Sequence, residues 1–345
     1  MSITTLGIDL GKSTFHAVGL DAHGHVRLRR RFRRETLLRY LANAEPMRIG
    51  MEACPGSQWL ARKLRGLGHE ALILPAQFVK PYVKSNKNDL RDAEAIAEAV
   101  TRPTMRFVPI KRPEQLDLQA LHRVRDRQVN QRTRLICQMR AFLLENGIPL
   151  RPGAGLFKRE FPGILAEDEN GLSVPMRRLL AGLWDELRGL EVRIAQVTRE
   201  IKALAERDEV ARRLMTIPGI GPLGASALIA AVGDGKQFRR ARDLSAWLGL
   251  VPRQYSTGGK TTLLGISKRG NTYVRRLFIH GARSCLMHLD RSQDRLGAWL
   301  DALSARMPTN KVVVALANKI ARIAWVILTR PGATYRRVDP MLGVA

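Results

Sequence analysis

The stretch "TTLGIDLGKSTFHAVGLD", residues 4–21, decides how the chain is read. Its centre, Gly11-Lys12-Ser13, has the ending of a phosphate-binding P-loop. That loop wraps phosphate in backbone N–H groups and needs a glycine at position 6. Position 6 is Leu6, and Gly7 is one residue out of register. A P-loop also opens a helix, whereas "TFHAVGLD" alternates apolar and polar residues and ends in a turn, as a second strand does. What remains is an acid, Asp9, at the end of a buried strand, followed by a tight hairpin.

Working outward, "VRLRRRF" reads as a third strand and "ETLLRYLANA" as a helix. "MRIGMEA" is a buried strand, and "SQWLARKLRGLG" an amphipathic helix ending at Gly68. "EALILP" is a strand stopped by Pro75, and "LRDAEAIAEAV" a strong helix. Three strands, helix, strand, helix, strand, helix is the order of an RNase H-like sheet, so the expected fold class is α/β plus α. An acid placed as Asp9 is has two uses: it grips phosphate in actin-like ATPases and binds metal in RNase H-like nucleases. The ATPase reading requires a second phosphate loop and an adenosine-binding glycine motif, and neither is found.

The expected organisation is three domains. Residues 1–105 form the mixed-sheet domain. Residues 106–208 hold a long helix with Arg123, Arg125, Arg127, Arg132, Arg134 and Arg140 around an apolar stripe, a Pro/Gly-rich linker over 151–173, and a coiled coil. In that last part Met176, Leu180, Leu183, Leu187, Leu190, Ile194, Val197, Ile201 and Leu204 alternate steps of four and three, a heptad seam that packs within the chain or between two protomers. Residues 209–345 are expected to be all-helical.

The chain has 345 residues, 45% hydrophobic and 26% charged, with a formal net charge of +27. That excess predicts a polyanionic partner, because each Lys or Arg set against a phosphate releases a counterion. Genome bias explains the preference for Arg over Lys but not the excess itself. No uninterrupted apolar run of membrane-spanning length appears, and "MSITTLGIDLG" has no basic region ahead of an apolar one, so neither a membrane span nor a signal peptide is expected. Cys54, Cys137 and Cys285 lack metal-type spacing; a reduced, cytoplasmic setting without disulfide or zinc is expected.

Four acids carry the chemistry. Glu52 ends an apolar strand as Asp9 does, and Asp89 and Asp92, three apart, share a helix face. Each alone has a structural role open to it: a turn cap, a rim residue, a helix opening. Together, on two strand ends and one helix, they supply the hard oxygen ligands that Mg²⁺ or Mn²⁺ takes. Paired ions of this kind stabilise both the attacking and the leaving oxygen of phosphoryl transfer.

Two runs follow in the last third. "IPGIGPLGASAL", residues 217–228, has the pattern of a helix-hairpin-helix, in which Gly219 and Gly221 bring backbone N–H groups to a phosphate. "LVPRQYSTGGKTTLLGISKRGN", residues 250–271, sets Ser256 and Thr257 before a glycine pair, with Lys260, Lys268 and Arg269 beside them. From the residues alone, this is a phosphate-binding loop or a nucleophilic hydroxyl among cations.

At this point the chain resembles the DEDD transposases of insertion-sequence family 110, most of all its subgroup 1111. "GIDLGKSTFHAVGLD", "GMEACPGS" and "KNDLRDAEAIAEA" match the acidic motifs, and "TIPGIGPLGASAL", "FRRARDLSAWLGLVPRQYSTGGK" and "LLGISKRGNTYVRRLFIHGA" the C-terminal ones. The resemblance implies a RuvC-like N-terminal domain whose Asp9, Glu52, Asp89 and Asp92 hold Mg²⁺ or Mn²⁺. It implies a serine that attacks a DNA phosphate and becomes covalently joined to it. Some relatives read Tyr-X-Ser-Gly, a slot held here by Thr257, so the nucleophile is Ser256 with Thr257 as the alternative. The implied partners are double-stranded DNA at the element ends and target, a structured non-coding guide RNA, and further copies of the chain in a dimer or tetramer. The implied setting is the bacterial cytoplasm, at the nucleoid. Gly219, Gly221, Lys260, Lys268, Arg269, Arg125 and Arg132 are the expected nucleic-acid contacts. A Holliday-junction nuclease that uses the acids with water as nucleophile is the rival reading.

Overall fold

A computed structural model describes residues 2–84, 88–293 and 295–337. Lys87 of the third acidic run, and residues 338–345 of the C-terminal region, lie outside the described residues. The chain divides into two compact units, 1–112 and 113–345.

In the first unit, β1 (Thr5–Leu10), β2 (Thr14–Leu20) and β3 (Val26–Arg33) form an antiparallel meander. After α1 (Arg34–Ala42) come β4 (Arg48–Glu52), α2 (Ser57–Gly66), β5 (Glu70–Leu74), the short α3 (Ala76–Val79) and α4 (Asp89–Val100). β4 lies parallel to β1 and β5 parallel to β4, giving the order β3-β2-β1-β4-β5.

Alternation puts successive side chains on opposite faces. Leu6, Ile8, Ile49 and Met51 turn to one face and are buried with Leu37 and Leu41 of α1 and Leu60, Ala61 and Leu64 of α2. Gly7 and Gly50, partners across β1 and β4, turn to the other. There α4 seats directly on the glycines: a Cβ at Gly7 would lie 2.1 Å from the Ala93 carbonyl oxygen, and one at Gly50 2.9 Å from Val100 Cβ. The small Ala93 and Ala97 of α4 pack with Val18 and Leu20 of β2, while Ile96 and Val100 pack with Leu74. A strap from Phe107 to Lys111 closes the far edge, with Val108 bridging to Ile73 and Lys111 N–H donating to Gln58 Oε1.

The second unit begins with α5 (Pro113–Glu145), followed by α6 (Ala154–Ala166) and α7 (Val174–Arg207). The heptad seam meets α5 of the same chain. Leu180, Leu187 and Leu190 are buried with Leu135, Ile136, Met139 and Leu143. Contacts of Arg125 with Thr198 and of Arg132 with Glu191 set the two helices antiparallel. At the end of the seam Leu204 is exposed and Ala205 is buried in its place.

The expectation of a linker over 151–173 is corrected. That stretch contains α6, whose Phe157 and Phe161, one turn apart, are fully buried, stack on each other and meet Trp184 at a tilt. Burial of two aromatic rings outweighs the poor helix propensity of the glycines and Pro162.

Next come α8 (Glu209–Met215), α9 (Pro222–Val232), α10 (Ala241–Trp247), β6 (Pro252–Thr257) and β7 (Lys260–Ile266). Then follow α11 (Thr272–His288), α12 (Arg295–Ser304) and α13 (Thr309–Thr329). The expectation of an all-helical C-terminal domain is corrected too, since β6 and β7 form an antiparallel hairpin. Gly258 and Gly259 both have positive φ, 52° and 78°, as a type I′ turn requires of its two central residues. α13 is long and apolar enough to cross a membrane, but Val312, Leu316, Ile320 and Ile327 are buried in the core of this unit.

Candidate active site

The acids of the first unit are placed by the glycine-seated helix. Asp9 is two residues past Gly7 and Glu52 two past Gly50, so both turn to the α4 face at the carboxyl ends of adjacent parallel strands. Asp92 immediately precedes Ala93, which touches Gly7, so the first turn of α4 overlies those strand ends. Asn88 caps the helix, its side chain accepting from Leu90 N–H at 3.0 Å.

The electrostatics agree. Burial pushes the Glu52 carboxyl above its usual range, and the neighbouring Asp9 and Asp92 carboxylates push it further. Burial also raises the half-buried Cys54 thiol, helped by Glu52 and Asp9. Asp89 stands apart from this trio: its Oδ2 lies 3.5 Å from His16 Nδ1 on β2. His16 Nδ1 makes no hydrogen bond, so the two side chains are close without being bonded. Among the described residues no three His, Cys, Asp or Glu side chains stand close enough together to ligate one ion. Asp9 and Asp92 are each within electrostatic reach of Glu52.

In the second unit the hairpin carries the hydroxyls. Ser256 Oγ accepts from Gln254 Nε2 at 2.7 Å and shares a hydrogen bond with Thr261 Oγ1 at 3.2 Å. Ser256 pairs across the ribbon with Thr261, and Thr257 with Lys260. The two candidate hydroxyls therefore occupy opposite faces, and Lys260 shares the face of Thr257. Every residue from Arg253 to Gly265 is exposed. At the hairpin base, Arg269 is exposed and Lys268 adopts a left-handed backbone, φ 54°.

A transposase family model, the DEDD transposase of IS110, matches residues 6–147, and a model described as the transposase IS116/IS110/IS902 family matches residues 211–296. The first spans all four acids and the second the whole hairpin. Full-length relatives agree. The chain is 46% identical over 331 residues, 96% of itself and 98% of the relative, to a probable family 20 transposase of Pseudomonas aeruginosa. It is also 46% identical to the transposase of insertion sequence element IS1328 of Yersinia enterocolitica, over 95% of this chain and 98% of that one. The same identity holds for the IS1111A transposase of Coxiella burnetii, over 97% and 92%. The chain belongs to the IS116/IS110/IS902 family of transposases.

Other expected contacts of this transposase are placed unevenly. Arg125 Nε donates to Thr198 Oγ1 at 2.8 Å, and Arg132 pairs with Glu191 at 3.6 Å, so both face α7; Arg123, Arg127 and Arg134 are the exposed arginines of α5. Gly219, φ 88°, turns towards α11, where a Cβ would lie 2.6 Å from the Gly281 carbonyl oxygen. Gly221 caps α9 and opens onto unfilled space.

Sequence reading missed several groups. Buried Arg275 donates to the carbonyls of Leu248 and Arg269 and to Thr272 Oγ1, clamping the base of the hairpin. Its signal was weak, one arginine among many in "YVRRLF". His122 is buried between Tyr273 Oη and Ser226 Oγ, at 2.9 and 3.0 Å. Arg240, Arg242, Lys319 and Arg322 line an open groove of about 620 Å³ beside α13.

Proposed function

We propose that this transposase cuts and rejoins DNA through Ser256, assisted by divalent cations held by Asp9, Glu52 and Asp92, with Asp89 joining from the same helix turn. The carrying observation is placement: Asp9 and Glu52 end adjacent parallel strands on the face where α4 sits, and Asp92 lies in the first turn of that helix; the upward push of Asp9 and Asp92 on the Glu52 carboxyl agrees with it. Their strand order, β3-β2-β1-β4-β5 with acids at the ends of β1 and β4, supports an RNase H-like reading of the sheet. The donors are all carboxylate oxygens, the set Mg²⁺ and Mn²⁺ prefer. A divalent cation held by these carboxylates would supply positive charge against a DNA phosphate.

The chain's own groups do the rest. Gln254 donates to Ser256 Oγ and so fixes its rotamer, while Thr261 holds it from across the ribbon. Attack forms an Oγ–phosphorus bond as the bond from phosphorus to one sugar oxygen breaks. The seryl proton passes to solvent base, and the departing sugar oxygen takes one up. The phosphodiester energy is kept in the seryl–DNA bond, so a second sugar hydroxyl can reseal the strand without a cofactor. Base choice falls to an element-encoded structured RNA, a reading supported by the resemblance and by the +27 charge.

Two measurements test this. Denaturing gels of cleavage reactions should show protein-linked DNA with the unaltered protein and with Thr257→Ala, and none with Ser256→Ala. An adduct persisting at full level in Ser256→Ala removes the serine from the role, and cleavage without any adduct favours the water-using nuclease. Mn²⁺ should raise the melting temperature of the unaltered protein, and Asp9→Asn should abolish that shift.

A further inference from the structure

The sheet registers extend the acidic site into a row. Ile8 pairs with Met51, so Glu52 follows beside Asp9; Asp9 pairs with His16, and His16 with Arg31. Paired residues share a face, so Glu52, Asp9, His16 and Arg31 run across four strands on the face where α4 sits. β3 is the edge strand. By alternation Arg29 and Arg33 share that face. Arg29 is held by Glu94 of α4 at 2.8 Å, while Arg31 and Arg33 are exposed. Arg30 turns to the opposite face, its guanidinium 5.0 Å from the centre of the Phe32 ring.

A cluster of carboxylates repels DNA phosphate before any chemistry begins, and a cation in the same row offsets that repulsion. Strands lie about 4.8 Å apart, so Arg31 is roughly 10 Å from Asp9, two strand spacings. Phosphates of one strand wind around the helix as well as rising about 3.4 Å per step, so that span is about one or two nucleotides. We propose that Arg31, with Arg33 beside it, binds the backbone phosphates of the DNA strand being cut, about one or two nucleotides from the phosphate held over the acids. This rests on the acid-site reading for its role in cleavage, but the binding itself does not need it. Arginine suits the task, because its planar fork holds two phosphate oxygens at once.

The test uses the full chain and a fluorescent random-sequence duplex without divalent cations, with affinity followed across a range of salt. Each phosphate contact contributes about 0.9 to the slope of log affinity against log salt. Arg31→Gln/Arg33→Gln should flatten that slope by about 1.8, so that its affinity changes roughly tenfold less than normal between about 50 and 200 mM salt. Arg30→Gln, on the other face, should leave the slope unchanged, and Arg31→Lys should keep it. Should the double variant melt early, the comparison of Arg31→Lys with Arg31→Gln decides. An unchanged slope in a variant of normal melting temperature overturns the proposal, as does loss of affinity for a structured RNA with duplex binding intact. Asp9→Asn separates the two readings: adduct formation by that variant refutes the acid site, while the slope measurement still judges Arg31.

Discussion

At the scale of single residues, burial decides what a titratable group does. Ser226 Oγ donates to the Pro222 carbonyl, so it accepts from His122 Nε2–H, and Tyr273 is left to donate to Nδ1. A neutral imidazole fills this site. Burial and the nearby Arg125 lower its pKa from 6.5 to about 4. The fold therefore favours the uncharged form, and the stability this contributes is full above pH 6.5 and is lost as pH falls towards 4. The loss should be about 3 kcal/mol. Urea unfolding between pH 7 and pH 5 should show a downward slope in the unaltered protein that is flattened in His122→Gln; parallel profiles for the two would refute it. Nothing in "LHRVRDRQ" marks His122 as buried, because its partners lie on α9 and α11.

At the scale of elements, the decisive contact is α4 on its two glycines. Gly7→Ala puts a methyl group into the Ala93 carbonyl and has to lift the helix. Overpacking of this kind costs about 1–3 kcal/mol. The same displacement carries Asp92 away from Asp9 and Glu52, so transposition should fall further than the loss of stability accounts for. Denaturation and transposition assays on the same variant check this: activity that follows stability alone would mean that α4 does not position the acids. The existence of β1 to β5 and of α4 was legible, because apolar alternation and the 3.6-residue period are local signals. The hairpin was legible in principle, as two alternating runs around Gly-Gly, but its hydroxyls and cations invite reading as a loop. α6 was not legible, since its proline and glycines are local and the rings that outweigh them find their partner, Trp184, on another helix.

At the scale of the whole molecule, each unit carries its own buried core, so residues 1–112 should fold when expressed alone. The isolated unit should unfold cooperatively and gain melting temperature with Mn²⁺, yet form no protein-linked DNA, because Ser256 belongs to the other unit. Circular dichroism and thermal melts decide the first two points and denaturing gels the third; an adduct formed by residues 1–112 would place the nucleophile among them. The charge of +27 was legible at this scale, but its distribution was not. Arg125 and Arg132 look like their neighbours in sequence, and only the packing of α7 against α5 separates them from Arg123, Arg127 and Arg134.

The sequence by itself determined the order of strands and helices in the first unit, the acids that end two of those strands, the heptad seam and the polyanionic character of the partner. These follow from local periodicity and summed charge, which need no knowledge of distant residues. Only the tertiary structure decided that Arg31 stands in line with Asp9, that Ser256 and Thr257 face opposite ways, and which arginines are spent on packing. Strand register and helix seating set those outcomes, and both arise from contacts between residues far apart along the chain.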